Sequence, residues 1–408
     1  MKKYDAVIAG YICVDLTPEF KTNKSFTNIS ELLKPGKLIE IAGLTYAMGG
    51  AVANVGMAMK KFSKSVFLNG LIGNDFAGKI ALTFLDQSDL LTGVRTIEGE
   101  GTALGLVIAL PGVDRIFLES PGCSHLFGIK HIDFDVVAKC RLFHFGYPPL
   151  LKQFYVKEGA QLLELFSVVQ RMGVVTSLDF SLVDPESESG KINWPETIKR
   201  ILPYTDIFVP SLEEALQIMM PEEYAEINLN AGGSDIIELV TIATIREAGK
   251  RIIDAGAKIV FIKAGHRGAY LATGDVSLLN ERPGLNLQEE QWSYRELWCA
   301  AYPIDQTKVK NASGAGDTAS AAFLSAILDG ESPERSLRFA TMAGRNNLYC
   351  SDIYNELDNW EQMYKSLELE HVEVVNLKLL RDNTLHEAHS KLPQAGSDLP
   401  TGQAGTRL

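Results

Sequence analysis

A glycine-rich turn that runs into a helix of small residues carries the clearest chemical signal in this chain. Residues 311–328 read Asn-Ala-Ser-Gly-Ala-Gly-Asp-Thr-Ala-Ser-Ala-Ala-Phe-Leu-Ser-Ala-Ile-Leu. Gly314 and Gly316 let a ligand approach the backbone, and the helix start presents unpaired N–H groups and a positive dipole end. The carboxylate of Asp317 would repel an anion there unless it accepts a proton from an incoming nucleophile. An anion site with its own base predicts phosphoryl transfer.

A simpler interpretation of the same segment is that Asp317 only caps a buried helix. Two further segments bear on this choice. Gly49 and Gly50 open a second helical pattern, and Asn54, one turn later, both donates and accepts hydrogen bonds, which suits neighbouring hydroxyls. Asp15 follows a buried apolar strand, at the end where open α/β sheets bind ligands, although aspartate there is also a common turn former.

Together these segments resemble the PfkB/ribokinase family of sugar and nucleoside kinases, and the resemblance covers roughly residues 4–352. It implies ATP-dependent phosphorylation of a primary hydroxyl of a small sugar or sugar acid. Asp317 would take the hydroxyl proton while amides of the turn hold the developing charge. The residues expected in these roles are Gly314, Ala315 and Gly316 at the phosphate and Asp15, Gly49, Gly50 and Asn54 at the sugar.

Weaker segments extend the resemblance. Glu214 matches a family glutamate that organises Mg²⁺ through water, although Ser211 stands where the family has asparagine and both residues also suit a helix N-terminus. Two strand ends, at Arg115 and Asp179, resemble substrate-binding positions, and each also suits an ordinary turn or a solvated charge. The expected nucleotide contacts are Lys263, Gly265, Gly268 and Ser313.

The resemblance therefore implies two ligands, ATP and Mg²⁺, beside the sugar. Asn311 replaces an aspartate that helps hold potassium in several relatives, so activation by a monovalent cation is not expected. A nucleoside kinase of the same fold is an alternative, and Phe20, Phe26 and Tyr46 leave open whether the lid favours a nucleobase. A non-catalytic sugar-binding regulator is a second alternative, against which the retained Asp317 counts.

Positioning these residues requires alternating strands and helices. Short apolar runs alternate with helical patterns along the chain, which predicts an α/β fold with a mostly parallel sheet. The resemblance specifies a ribokinase-like three-layer α/β/α core over 1–371, with a small β lid from excursions at about 16–47 and 99–121. Residues 372–408 form a C-terminal tail that is expected to be partly disordered, because 390–408 are rich in Gly, Pro, Ser and Thr. Relatives commonly dimerise through the lid, so a homodimer is left open.

Composition agrees with a globular enzyme. Hydrophobic residues make up 46% of the 408 residues, and the net charge of −12, from 39 basic and 51 acidic residues, argues against nucleic-acid binding. No apolar run reaches the length of a membrane helix, and the first apolar stretch is too brief for a signal peptide. Five cysteines without metal-site spacing predict reduced thiols. A cytoplasmic protein without a membrane partner is expected.

Overall fold

The fold is described here from a computed structural model that covers residues 2–22, 24, 26, 28–90, 93–110, 116–233 and 235–379. Its main element is a ten-stranded sheet in the order β14-β13-β12-β11-β10-β9-β8-β1-β4-β5. Seven neighbouring strands of this sheet run parallel: β5, β4, β1, β8, β9, β10 and β11. At the other edge β12, β13 and β14 pair antiparallel with their neighbours. The strands of this sheet are β1 (Tyr4–Gly10), β4 (Val66–Gly73), β5 (Val94–Ile97), β8 (Cys140–Gly146), β9 (Val175–Leu178), β10 (Ile207–Phe208), β11 (Ile259–Lys263), β12 (Gly268–Thr273), β13 (Glu296–Ala300) and β14 (Val374–Asn376).

Helices cover both faces of this sheet because its strands are apolar on both sides. In β1, Ala6 and Ile8 enter one hydrophobic core, and Val7 and Ala9 enter the other, as the two-residue period of a strand requires. The predicted α/β class with a mostly parallel sheet is confirmed. The helices are α1 (Gly50–Lys61), α2 (Phe76–Gln87), α3 (Phe134–Val137), α4 (Lys152–Arg171), α5 (Trp194–Ile201), α6 (Leu212–Met219), α7 (Pro221–Ala231), α8 (Ile242–Asp254), α9 (Glu289–Trp292), α10 (Ala315–Leu328), α11 (Pro333–Leu348), α12 (Ile353–Glu356) and α13 (Trp360–Leu369).

Four strands form a separate small sheet in the order β3-β2-β6-β7, called the lid below. They are β2 (Cys13–Phe20), β3 (Ile41–Gly49), β6 (Leu104–Ile108) and β7 (Ile116–Ser120). β2 follows β1 after only two residues, and α1 begins directly after β3. The lid is therefore joined to the main sheet at the edge where parallel strands end and ligands bind.

The main sheet continues beyond residue 371, because β14 pairs with β13 and Leu377 is buried in one of the cores. The expected C-terminal tail thus begins with a strand of the sheet, and residues 380–408 lie outside the described part. All five cysteines are buried and unpaired with one another, as the sequence predicted. Within the described residues no helix is long and apolar enough to cross a membrane.

Candidate active site

The general-base candidate lies in the first turn of a buried helix. Gly314 precedes α10 with a φ of 75°, a left-handed conformation that favours glycine, and the Thr318 N–H donates to its carbonyl at 2.8 Å. Asp317 is only 3% exposed at this helix start. The carboxylate is thus held on a rigid element, at the end of the helix that stabilises negative charge.

Both oxygens of Asp317 accept hydrogen bonds from distant parts of the chain. Asn54 Nδ2 donates to Oδ2 at 2.9 Å, and the Tyr147 hydroxyl donates to Oδ1 at 2.7 Å. Burial raises the pKa of Asp317, while the Lys263 ammonium and these two hydrogen bonds oppose the shift. The two donors fix the orientation of the carboxylate and favour its ionised form, as a general base requires.

The turn before α10 is held by one side chain of its own and by one from α11. Asn311 accepts from the Ser313 N–H at 2.9 Å, and Asn347 Nδ2 donates to the Ser313 carbonyl at 2.9 Å. The Ala315 N–H already makes a long contact of 3.4 Å with the Ala312 carbonyl. A Cβ built on Gly316 would meet Lys263 first, at 3.7 Å, so no backbone fills the space beside this amide.

A cavity of about 350 Å³ opens in front of Asp317, between the lid and the core. Five other residues predicted from the sequence line it with Asp317, although together they come from three separate segments of the chain. They are Asp15, Gly50, Asn54, Ser313 and Gly314. Gly49 lies directly behind Asp15, since a Cβ there would come within 2.4 Å of Asp15 Oδ2. The structure therefore brings the predicted base and most of the predicted sugar contacts to one cavity.

Asp15 is placed by the lid rather than by the core. It lies on β2, and Cys13 Sγ donates to its Oδ1 at 3.6 Å. Burial raises the pKa of Asp15 to about 6; the Cys13 contact opposes the shift, and the negative charges of Glu119 and Asp317 add to it. A carboxylate in this state lacks a positive partner and suits a ligand that donates hydrogen bonds.

Lys263 and Asp179, expected at two different ligands, instead contact each other. Lys263 Nζ lies 3.0 Å from Oδ1 of Asp179, whose side chain is fully buried, and it also donates to Ser320 Oγ at 3.2 Å. Burial acts to lower the pKa of Lys263, but the carboxylates of Asp179, Glu214 and Asp317 outweigh it, and the pKa is raised. Lys263 therefore stays cationic beside the base.

Glu214, which is partly exposed, adjoins these charges. Its Oε2 accepts from the Ser211 N–H at 2.7 Å while Ser211 Oγ accepts from the Glu214 N–H, a capping box that begins α6. Burial and the Asp179 charge raise the pKa of Glu214, against the effect of Lys263. Among the described residues no three His, Cys, Asp or Glu side chains converge as a metal site. A carboxylate of this kind fits Mg²⁺ held through water and phosphate oxygens, because Mg²⁺ keeps most of its waters.

The two glycines predicted at the nucleotide lie in the turn after β11. Gly265 and Gly268 have φ values of 53° and 118°, and a Cβ on Gly268 would come within 2.0 Å of the Cys299 carbonyl. The sheet pairing between β12 and β13 by itself requires glycine at 268. Arg115 lies outside the described residues.

Six residues that line the cavity were not predicted from the sequence, and three of them carry oxygen atoms on their side chains: Tyr11, Glu119 and Tyr147. Tyr147 follows β8 with a φ of 63°, between Gly146 and Pro148, and only the position of β8 beside β1 brings it to Asp317. Glu119 reaches the cavity through the strand register of the lid. The sequence offered one indication of these side chains: each of them follows a strand, or belongs to a strand, at the edge where ligands bind.

Comparisons with known proteins agree with this geometry. The sequence pattern described as pfkB family carbohydrate kinase matches residues 21–356. A 5-dehydro-2-deoxygluconokinase of Clostridium beijerinckii is 24% identical over 350 residues, which are 83% of this chain and 86% of that protein.

Solved structures show the same fold. Arabidopsis thaliana ribokinase complexed with ribose and ATP superposes with a TM-score of 0.65 at 21% identity, covering 90% of this chain and 99% of that one. A putative ribokinase II of E. coli in complex with ATP and Mg²⁺ superposes with a TM-score of 0.63 at 17% identity, covering 90% and 100%. With a buried carboxylate at a helix start and a family match over most of its length, the chain belongs to the pfkB family and is a carbohydrate kinase with a ribokinase-like fold.

Proposed function

We propose that this kinase transfers the γ-phosphoryl group of ATP to a primary hydroxyl of a small sugar or sugar acid, with Asp317 as the general base. One observation carries the proposal: the buried Asp317 carboxylate, oriented by Asn54 and Tyr147, faces a cavity that also holds Asp15. Relatives named for ribose and for 5-dehydro-2-deoxygluconate make both a neutral sugar and a sugar acid candidates.

At the acceptor end, Asp15 and Asn54 would bind neighbouring hydroxyls, since a carboxylate accepts and an amide both accepts and donates. Asn54 already donates to Asp317, so an acceptor hydroxyl bound by Asn54 lies beside the base. Gly49 lets the Asp15 carboxylate lie close to the backbone, and Gly50 does the same for the Tyr11 carbonyl. Asp179, which is paired with Lys263, would act on the base and not on the sugar. The hydroxyl proton then passes to Asp317 as the oxygen attacks phosphorus.

At the phosphate end, the amides of Gly314 and Gly316 would stabilise the transferred group, and Ala315 would join them by giving up its long contact with Ala312. Lys263 lies below Gly316 and contributes positive charge without being consumed by the reaction. Bound Mg²⁺ supplies charge neutralisation at the phosphates. Glu214 would hold it through water, and Gly265, Gly268 and Ser313 would contact the nucleotide.

The domain arrangement is part of the same proposal. The predicted domain of residues 1–371, extended by β14, would act as one kinase domain whose lid covers the acceptor. The face of the lid opposite Asp15 carries a row of apolar residues across all four strands, Tyr46, Leu16, Leu106 and Leu118. Tyr46 and Leu118 are about half exposed, which supports a homodimer formed through this face. Sedimentation of the wild-type protein and of Leu118→Lys tests it.

The catalytic proposal is tested by an ADP-release screen over sugars, sugar acids and nucleosides, with ATP and Mg²⁺. Asp317→Asn keeps the shape of the side chain but cannot accept the proton, so kcat should fall by about 10²–10⁴-fold. Asp254→Asn, which changes an exposed ion pair on α8, is the matched control and should leave kcat unchanged. If Asp317→Asn keeps more than about a tenth of kcat, Asp317 is not the base.

A nucleoside acceptor is the second candidate because of an adjoining cavity. This space of about 240 Å³ shares Asp15, Asn54 and Ser313 with the first cavity. Its other walls include the apolar side chains Met57, Phe84, Val107 and Ile353. Apolar walls next to a hydroxyl-binding carboxylate suit a nucleobase. Turnover with nucleosides only would replace the sugar assignment, and binding of sugars without turnover by the wild type would favour a non-catalytic regulator.

A further inference from the structure

The lid carries a second carboxylate that faces the acceptor cavity. Asp15 on β2 pairs with Gly105 on β6, and Gly105 pairs with Glu119 on β7. Residues that lie directly opposite each other on paired strands direct their side chains to the same face of the sheet. Glu119 is therefore on the same face as Asp15, and it lines the same cavity.

Gly105 makes room for the Asp15 carboxylate between β2 and β7. A Cβ at this position would lie 2.3 Å from Oδ1 of Asp15, so the Asp15 side chain leans over Gly105 toward β7. Neighbouring strands are about 4.8 Å apart, which puts the backbones of Asp15 and Glu119 about 10 Å apart. Both acids therefore border the cavity from the same side, with Gly105 between them.

The Tyr11 hydroxyl is an independent sign that a polar ligand belongs here. The Tyr11 side chain is 2% exposed and lines the cavity, and its hydroxyl, although it lies near Glu119, makes no hydrogen bond of regular geometry within the described residues. Buried hydroxyls in native proteins are almost always paired. Burial raises the pKa of Tyr11, and the nearby Cys13 and Glu119 add to the shift, so the group is a neutral hydroxyl that a ligand can complete.

The charges around this cavity are of one sign. Among the described residues that line it are three carboxylates, Asp15, Glu119 and Asp317, and no lysine, arginine or histidine. Ionised carboxylates only accept hydrogen bonds, so they favour ligand groups that donate. A ligand carboxylate or phosphate placed between Asp15 and Glu119 would meet like charges on both sides.

On the basis of the proposed function, we propose that Glu119 determines the class of acceptor. The cavity selects a sugar whose end remote from the transferred hydroxyl carries only hydrogen-bond donors, hydroxyl or ammonium groups. It excludes sugar acids and sugar phosphates at that end. Glu119 and Asp15 bind the donors, and Tyr11 completes the contact with a sugar oxygen.

The test compares matched acceptors on the wild type, on Glu119→Gln and on a control. Pentoses and hexoses, their 2-amino derivatives and the corresponding aldonates are assayed by ADP release, and their binding is measured by calorimetry. Glu19→Gln is the control, because Glu19 lies on the same face of β2 as Asp15 but outside the cavity. We expect the wild type to prefer neutral or amino sugars over aldonates by about 100-fold in kcat/KM.

In Glu119→Gln this preference should shrink about tenfold, through a lower KM for the aldonate, and Glu19→Gln should keep it. A wild type that prefers an aldonate overturns the inference while the kinase assignment stands. An unchanged preference in Glu119→Gln also overturns it. If no sugar is phosphorylated, the proposed function fails, and the calorimetric preference still decides the inference: absent binding, or equal binding of acids and neutral sugars, refutes it.

Discussion

Replacing Tyr147 by phenylalanine isolates one of the two contacts that hold the proposed base. The lost hydrogen bond runs from the Tyr147 hydroxyl to Oδ1 of Asp317 at 2.7 Å, and the rest of the ring remains. Phenylalanine adopts the φ of 63° as readily as tyrosine does, so the turn after β8 should not change.

The magnitude follows from the charge of the acceptor. A hydrogen bond to a charged group contributes about 1.5–3 kcal/mol, which is about 10- to 150-fold in an equilibrium. This hydrogen bond favours the ionised carboxylate, so its loss raises the pKa of Asp317 and lowers the fraction of active base at acidic pH. Part of the contact survives when Asp317 is protonated, and we therefore expect about a tenfold loss of kcat on the acid side. At alkaline pH the base is ionised in both proteins, and kcat should come within a few-fold.

The assay is kcat at saturating ATP and acceptor, followed by ADP release from about pH 5 to about pH 9. Tyr155→Phe is the control, because the Tyr155 hydroxyl donates only to Glu188, at 3.3 Å. The acid limb of the profile should move to higher pH in Tyr147→Phe and stay in place in Tyr155→Phe. A Tyr147→Phe profile that coincides with wild type, or that falls equally at every pH, would refute this reasoning.

Burial raises the pKa of Asp15 to about 6. The affinity for the acceptor should therefore fall as the pH drops through about 6, because the carboxylate becomes protonated. Asp15→Asn should bind the acceptor more weakly, and its KM should lack this pH dependence. Lys263→Met removes the cation that pairs with the buried Asp179 and should lower the free energy of unfolding, measured in urea, by about 3–5 kcal/mol. Lys250→Met, at an exposed ion pair, should change it by less than about 0.5 kcal/mol. Similar losses in the two variants would contradict the burial argument. Gly316→Val should fold, because the nearest atom to an added Cβ is 3.7 Å away, and should lose at least about a hundredfold in kcat; unchanged kcat and ATP KM would show that the turn does not contact the nucleotide.

The fold and the centre of the site could be predicted because local sequence carries their signals. Glycines mark the turn before α10 and the start of α1, and the residue types of Asp317, Asn54 and Asp15 indicate their chemistry wherever the chain places them. The rule that ligands bind where parallel strands end applied to Asp15 alone, and the family resemblance implied that Asn54 and Asp317 share its cavity. The resemblance to one family ordered these segments along the chain.

The remaining contacts depend on pairings that no local pattern contains. Lys263 and Asp179 are far apart in sequence and were expected at different ligands, yet each is the other's main partner. Glu119 reaches the cavity only through a register across β2, β6 and β7. Gly268 lies in a glycine-containing segment that resembles a phosphate-binding turn, but the close approach of the Cys299 carbonyl is what requires glycine there. Such roles become visible only when strand order and register are known.

The lid pairs with no strand of the ten-stranded sheet, and its inward positions Asp15, Gly105 and Glu119 belong to neither hydrophobic core. Substitutions at Asp15 and Glu119 should therefore alter the acceptor contacts at little cost to folding. Within such an architecture, evolution can exchange the preferred sugar while the base and its helix stay fixed. A lid transplanted from a relative should accordingly bring that relative's preference with it, on an unchanged catalytic core.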